Sequence, residues 1–432
     1  MALEPTLPAS LTGEIVTKLG ESSPHDTAED RPVHVVYGGA HLFKAGTIAK
    51  LGERALAALD AWAGDAPTFG ATVGVAGSDG ALAELVLRRV REKLARRPVE
   101  ALCIDFEDGY GPRADAEEDA EAVRAAAELA RTDAYDTTVG IRIKALAGAT
   151  VARSMRTLDL FVTALARATG GALRDGFTVT LPKVTRPEEV DTLASLLAAL
   201  EAALGIVRPI GIELMIESPR ALLTADGLAV PRLVAVARGR IRALHLGAYD
   251  LTAELGVTAG DQRLDHPYCD FARMLLQLAV SGTPIGVSDG ATTVMPIAPR
   301  GASPGESAAA VRGAWSLHAT NVRRAIDQGI FQGWDLHPAQ LPARYGALFG
   351  YFLGNREPMT IRLRSFVEHA TQASRVGQLF DDAATGQGLL SFFARGLACG
   401  AFDASDVEAT TLAPDDLTRS FAELVAARSA AP

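Results

Sequence analysis

Eight short β-rich runs, each followed by a helical stretch, constrain this chain more than any other feature. They are Val33–Gly39, Val99–Asp108, Thr137–Ala145, Phe177–Val184, Ile210–Ser218, Ile241–Asp250, Pro284–Asp289 and Phe331–His337. Several are apolar at consecutive positions, as in Ile210-Gly-Ile-Glu-Leu-Met-Ile216. Strands covered on both faces read this way, which points to a parallel sheet. The stretches between them keep one apolar face, as with Val190, Leu193, Leu197, Leu200 and Leu204. In that segment Thr185 with Glu188 reads as a capping box, Pro187 suits a first helical turn and Gly205 suits the end. Strand–helix alternation eight times over predicts an α/β fold of the closed (β/α)8 (TIM) barrel type. An open doubly wound sheet is the alternative, but no G-x-G-x-x-G follows the first run.

Around this repeat the chain divides into three parts. Residues 1–30 are mixed and polar and form an N-terminal extension, with a short helix expected near Thr12–Leu19. Residues 31–340 form the barrel, and residues 341–432 read as a C-terminal helical region. Two insertions break the rhythm. Pro67–Arg97 adds a loop and an extra helix, and Thr292–Glu306 is rich in Pro, Gly and Ala. The second insertion leaves the seventh run at the end where barrel active sites lie, so it is a candidate lid.

Several function classes are excluded by charge and composition. The net charge of −10 gives no basic face for a nucleic acid. The run Arg88, Arg89, Arg91, Lys93, Arg96 and Arg97 reads as a solvated helix face. Cys103, Cys269 and Cys399 are far apart, so neither a disulfide framework nor a structural zinc site is expected. No apolar run is long enough to span a membrane, and no basic flank with an apolar run marks a signal peptide. A reducing cytoplasm is the expected compartment.

A barrel places its chemistry where strands end. The run ends carry Glu107 and Asp108, then Arg142 and Lys144, then Lys183, Glu217, Asp250, Asp289, and Asp335 with His337. So many carboxylates aimed at one space would repel one another in a partly dry pocket. A hard divalent cation removes that penalty, and carboxylate oxygens suit Mg2+, with Mn2+ as the substitute. Arg142 offers a planar fork for a substrate carboxylate. Lys183 and Asp289 are further candidates for substrate contact. Each acidic residue taken alone could merely cap the next helix, and His245 and His337 read as structural histidines.

The order of these motifs resembles the citrate lyase β-subunit-like family within the HpcH/HpaI aldolase superfamily of phosphoenolpyruvate/pyruvate-binding barrels. Asp105-Phe-Glu-Asp-Gly109 resembles its D-L-E-D-[AG] strand end, and Ile141-Arg-Ile143 its R-[VI]-N strand. Leu181-Pro-Lys-Val184, Ile216-Glu217, Leu246-Gly-Ala-Tyr-Asp-Leu251 and Leu336-His-Pro-Ala-Gln340 resemble L-P-K-V, I-E-T-x-x-G, F-G-x-x-D-L and I-H-P-x-Q. The resemblance implies a metal on Glu217 and Asp250 and a substrate carboxylate on Arg142. It gives Glu107 and Asp108 supporting or proton-transferring roles. It also implies a homo-oligomer and a magnesium-dependent carbon–carbon lyase, of aldol or Claisen type, acting on a small 2-oxo acid or hydroxy acid.

Three departures bear on the substrate. Glu217 and Asp250 lie 33 positions apart (250 − 217), longer than the family spacing, so an insertion lies between them. Lys144 stands where the family has Asn. The lid motif that serves CoA-thioester members has only a poor counterpart, Asp381-Asp382-Ala-Ala-Thr-Gly-Gln387, so a CoA thioester is left open. The alternatives are a phosphoenolpyruvate-type reaction of other chemistry and a non-catalytic carboxylate-binding barrel in a complex.

Overall fold

The computed structural model describes residues 31–75, 80–132, 136–375 and 383–430. The helix expected near Thr12–Leu19 and the acidic pair Asp381-Asp382 lie outside the described residues. Eight parallel strands close into a barrel: β1 (Val35–Gly39), β2 (Ala101–Asp105), β3 (Thr138–Arg142), β4 (Thr178–Leu181), β5 (Gly211–Ile216), β6 (Ile241–Leu246), β7 (Gly286–Ala291) and β8 (Gln332–Asp335). Each expected run meets one of these strands, with β7 continuing two residues past Pro284–Asp289 to Ala291, and β1 pairs with both β2 and β8, which closes the ring. The protein is a (β/α)8 barrel with further helices at its C-terminal end.

Alternation along each strand separates two cores. Outward residues such as Val36, Leu102 and Ile104 join the large apolar cluster beneath the helices. A second cluster of Val35, Tyr37, Ala101, Cys103 and Met215, with Trp334 against it, fills the lumen. The lumen also holds polar groups. His245 accepts from Trp334 Nε1 at 2.9 Å and stands 3.3 Å from Glu213, which accepts from Thr180 at 2.9 Å. His245 is thus buried in the barrel interior, with Nδ1 hydrogen-bonded and Nε2 facing Glu213 without a hydrogen bond.

Helix starts follow local chemistry. Ser303 and Glu306 form a capping box for the helix Pro304–Asp327, so the loop after β7 ends there. The helix Pro187–Leu204 starts differently from expectation. Arg186 is its N-cap and makes no side-chain cap, while the Thr185 backbone and hydroxyl bind Glu189 at 2.9 and 3.3 Å. Glu189, one residue beyond Glu188, reaches back because it lies on the buried side of the turn.

The basic run on the helix Gly80–Arg96 is only partly solvated. Lys93 is buried against Glu100 at 2.5 Å, and Arg89 binds Asp403 at 2.6 Å. Among the described residues, the helices from Leu341 onward share the outer core. Tyr345, Phe349, Phe352, Phe393, Phe402 and Phe421 belong to the same cluster as the barrel helices.

Candidate active site

The C-terminal ends of β2 to β6 bring six of the expected residues together. Asp105, the last residue of β2, organises one side. Its carboxylate accepts from the backbone of Glu107 at 2.9 Å and of Gly109 at 2.7 Å, which folds the loop into a tight turn. It also takes two bonds from Arg142, Nε at 2.7 Å and Nη2 at 2.5 Å. The planar fork of Arg142 is thus committed to Asp105 and is not free for a substrate carboxylate, as the sequence had suggested. Only Nη1 remains. It faces Glu107 Oε2 at 3.2 Å and Asp108 Oδ2 at 3.6 Å, over the Tyr37 ring and against Met215 Sδ.

Glu107 lies between two cations. Lys183 Nζ is 2.5 Å from its Oε1, and Asp108 N donates to its Oε2 at 3.0 Å. Burial pushes the Glu107 carboxyl up, against the pull of Arg142 and Lys183. Asp108 is open to solvent. Its partial burial is outweighed by the hydrogen bond with Glu107 and by Arg142 and Lys183, which hold its carboxyl down. Lys183 loses some charge stability to burial, but Glu107 and Asp108 raise it overall.

On the other side stand Glu217 and Asp250. Ser218 caps the helix Pro219–Leu222 by accepting from Arg220 N, which leaves Glu217, one residue earlier, free of capping duty. Glu217 is buried, and its Oε1 accepts from Lys183 N at 2.5 Å. That bond requires Lys183 to sit at φ 53°, in the left-handed region that a residue with a long side chain rarely adopts. Gly247 makes room for the carboxylate, because a Cβ there would lie 2.2 Å from Glu217 Cβ and 2.6 Å from its Oε2. Asp250 is exposed in the first turn of the helix Ala248–Glu254. Burial first, and then the negative charge of Asp250, push the Glu217 carboxyl up to about 8.

A buried carboxylate whose proton affinity is raised by burial and by a second carboxylate beside it is a donor set that a hard cation satisfies. Among the described residues no cluster of three or more His, Cys, Asp or Glu gathers for a metal. A cation on Glu217 and Asp250 would therefore keep several non-protein oxygens, as Mg2+ does.

Three expected residues do other work. Asp289 is buried and accepts from Arg273 Nε at 2.8 Å, Arg273 Nη2 at 3.2 Å and Gly290 N at 2.8 Å. It faces the helix Pro267–Val280 and not the site, because Ser288 takes the inward position next to His245. Its assignment to substrate is corrected accordingly. Lys144 donates to Phe106 O at 2.7 Å and to Glu118 at 2.6 Å, bracing the loop from outside. His337 caps the turn Pro338–Gln340 by accepting from Ala339 N at 3.1 Å.

A family model described as a domain of unknown function, DUF6986, matches residues 13–424. The chain belongs to that family. No curated protein matches it. Among solved structures, a citrate lyase from Burkholderia xenovorans LB400 is 22% identical, with a TM-score of 0.51 over 78% of this chain and 94% of the other. Protein CitE from Mycobacterium tuberculosis, in complex with magnesium and acetate, is 17% identical over 75% of this chain and 93% of its own, at a TM-score of 0.42. A malate synthase from Haloferax volcanii, in a pyruvate/acetyl-CoA complex, is 13% identical over 74% and 70%, at 0.46. The likeness of this DUF6986 chain to the Burkholderia protein is one of fold.

Proposed function

We propose that this protein is a magnesium-dependent carbon–carbon lyase acting on a small 2-oxo acid or hydroxy acid. The observation that carries the reading is the pairing of buried Glu217 with Asp250, beside Arg142, Lys183, Glu107 and Asp108 at the C-terminal ends of the strands. The motif order that resembles the citrate lyase β-subunit-like family supports it. Bound there, Mg2+ would supply positive charge for a substrate carboxylate and polarise the neighbouring carbonyl.

The residues of the chain then have distinct tasks. Glu217 and Asp250 hold the cation, and the Lys183 backbone fixes the direction of the Glu217 carboxylate. Arg142 Nη1 donates to the oxygen on which charge develops as the carbon–carbon bond breaks. Asp108 is exposed, is not needed for the cation, and has its carboxyl held down by Glu107, Arg142 and Lys183, so it takes the proton as an ionised base. Glu107, bound to both Lys183 and Arg142, positions those two cations. Asp105 keeps Arg142 from turning away.

The test is turnover of a panel of 2-oxo acids, hydroxy acids and aldehydes, with and without Mg2+, read by mass spectrometry. Cleavage or condensation of the carbon skeleton should appear with Mg2+ and vanish with a chelator and in Glu217→Gln. Products with an unchanged carbon skeleton, or binding without turnover, would overturn the lyase reading.

A further inference from the structure

A surface helix ordinarily turns polar and charged residues to water. In the helix Gly80–Arg96 the exposed positions include Glu84, Arg88, Glu92 and Arg96. The helix Pro267–Val280 breaks that pattern. Its exposed residues are Pro267, Tyr268, Phe271, Met274 and Leu278, with no charged group among them. The last four are 45% to 71% exposed and recur every three or four residues, which places them on one helix face. The opposite face is an ordinary buried one, with Cys269, Ala272, Leu276 and Val280.

The apolar surface extends sideways. The helix Pro219–Leu222 packs on Pro267–Val280 and leads into a two-stranded antiparallel ribbon, Leu223–Thr224 with Gly227–Leu228. Leu223 and Leu228 are exposed there as well. The ribbon lies in the insertion between Glu217 and Asp250. The six side chains expose on the order of 600 Å2, the upper end of what a monomer's largest apolar patch reaches.

We propose that this face is the two-fold interface of a homodimer. The exposed apolar area approaches the roughly 800 Å2 that each partner of a stable complex buries. The stripe carries no charge that would select a different partner, and a surface of one chemistry along its length is complementary to itself. Antiparallel pairing about a two-fold axis sets the Tyr268 end of one helix against the Leu278 end of the other, with Phe271 and Met274 nearest the axis. The charges beside the stripe are already neutralised. Asp270 binds Arg273 at 2.8 Å and also Arg324, and Arg263 binds Asp265 at 2.8 Å. Two chains of net charge −10 can therefore meet there without local repulsion.

Light scattering on the full chain tests this directly. The mass should be twice the 45.2 kDa of one chain at micromolar concentration. Phe271→Glu with Met274→Glu should return a folded 45.2 kDa species, weakening association on the order of a hundredfold. Should that pair of changes fail to fold, Met274→Cys decides, because oxidation should link two chains near the axis. The native Cys103, Cys269 and Cys399 are all buried, so the unaltered chain is the control without a link. A monomeric full chain, a Glu variant of unchanged mass, or no link from Met274→Cys overturns the proposal. So does association that appears only when residues 1–30 are removed, since that segment would then be the stripe's occupant.

Discussion

At the level of single residues, the site is held in tension between groups that repel and groups that clamp. Glu217 has a folded-state value of about 8 against an ordinary 4.5, raised by burial and by Asp250. A carboxyl raised in the folded state contributes stability that is complete below its unfolded value and is lost as pH rises through the folded one. The metal-free protein should therefore melt at progressively lower temperature between about pH 5 and pH 8, and Glu217→Gln should flatten that slope. Thermal melts in a chelator across this range check it. Protons compete with the cation for the same oxygen, so Mg2+ affinity measured by calorimetry should rise from pH 6 to pH 8. Equal affinity at both values would remove Glu217 from the ligand set.

Arg142 joins stability to function in a similar way. Arg142→Lys loses the two-bond fork to Asp105 and the Nη1 contact together. Melting temperature and kcat/KM should both fall, the rate by roughly 10²–10³, while Mg2+ affinity barely changes. A lowered melting point with normal kinetics would make Arg142 a structural residue only. Gly247→Ala should act more locally. A Cβ 2.2 Å from Glu217 Cβ has no room, so strand β5 or the turn after β6 must shift. Stability should drop by about 1–3 kcal/mol. Weaker Mg2+ binding should accompany it, seen in the same calorimetric titration.

Among the elements, the outer wall near β1 and β8 is pinned by Asp335. This fully buried carboxylate meets His34 Nδ1 at 2.9 Å, Arg344 Nε at 2.7 Å and His318 Nε2 at 2.9 Å. Burial opposes its charge, but Arg344 and the two histidines outweigh burial and hold the carboxyl well below the usual range. The partners come from the residue that leads into β1 and from the helices Pro304–Asp327 and Leu341–Arg375, so one side chain joins three segments to β8. Asp335→Ala leaves Arg344 buried without its partner and should cost about 3–5 kcal/mol, read as a loss of folded protein in denaturant titration. His318 adds a link to the loop after β7, because its Nδ1 lies 2.9 Å from Thr292 Oγ1 and Asn321 donates to the same hydroxyl at 3.0 Å. Tyr249, beside Asp250, donates to Ala291 O at 2.9 Å and accepts from Thr293 at 3.1 Å. The root of the candidate lid is thus tied to the element that carries Asp250.

For the molecule as a whole, the helices after β8 are part of the barrel's stability. The helix Leu341–Arg375 begins directly after the turn that follows β8, and its Tyr345, Phe349 and Phe352 lie in the common core. Truncation after residue 340 removes that packing and exposes the apolar faces of the helices beneath. The shortened chain should be recovered unfolded or aggregated, and a soluble product with a native circular dichroism spectrum would show the barrel to be independent of its C-terminal helices.

The sequence by itself determined the barrel, the order of its strands and the end at which polar residues collect. Consecutive apolar residues and helical periodicity are local properties, and eight repeats of one unit leave few closed arrangements. The placing of Glu107, Asp108, Arg142, Lys183, Glu217 and Asp250 at one face follows from the same rule. Tertiary structure decided which of these groups are free. Whether a strand residue points inward depends on register, and one step of parity sends Asp289 to Arg273 while Asp105, quoted within its motif but given no role, becomes the hub that holds Arg142. Parity with Cys103 on β2 was the signal available for Asp105, but it gains meaning only once Arg142 is known to lie directly across in the ladder. The carboxylate of Glu189, not Glu188, at the start of its helix was likewise settled by which side of the turn is buried. Charge partners are chosen across the fold, between residues dozens of positions apart, and no local pattern in the chain records that choice.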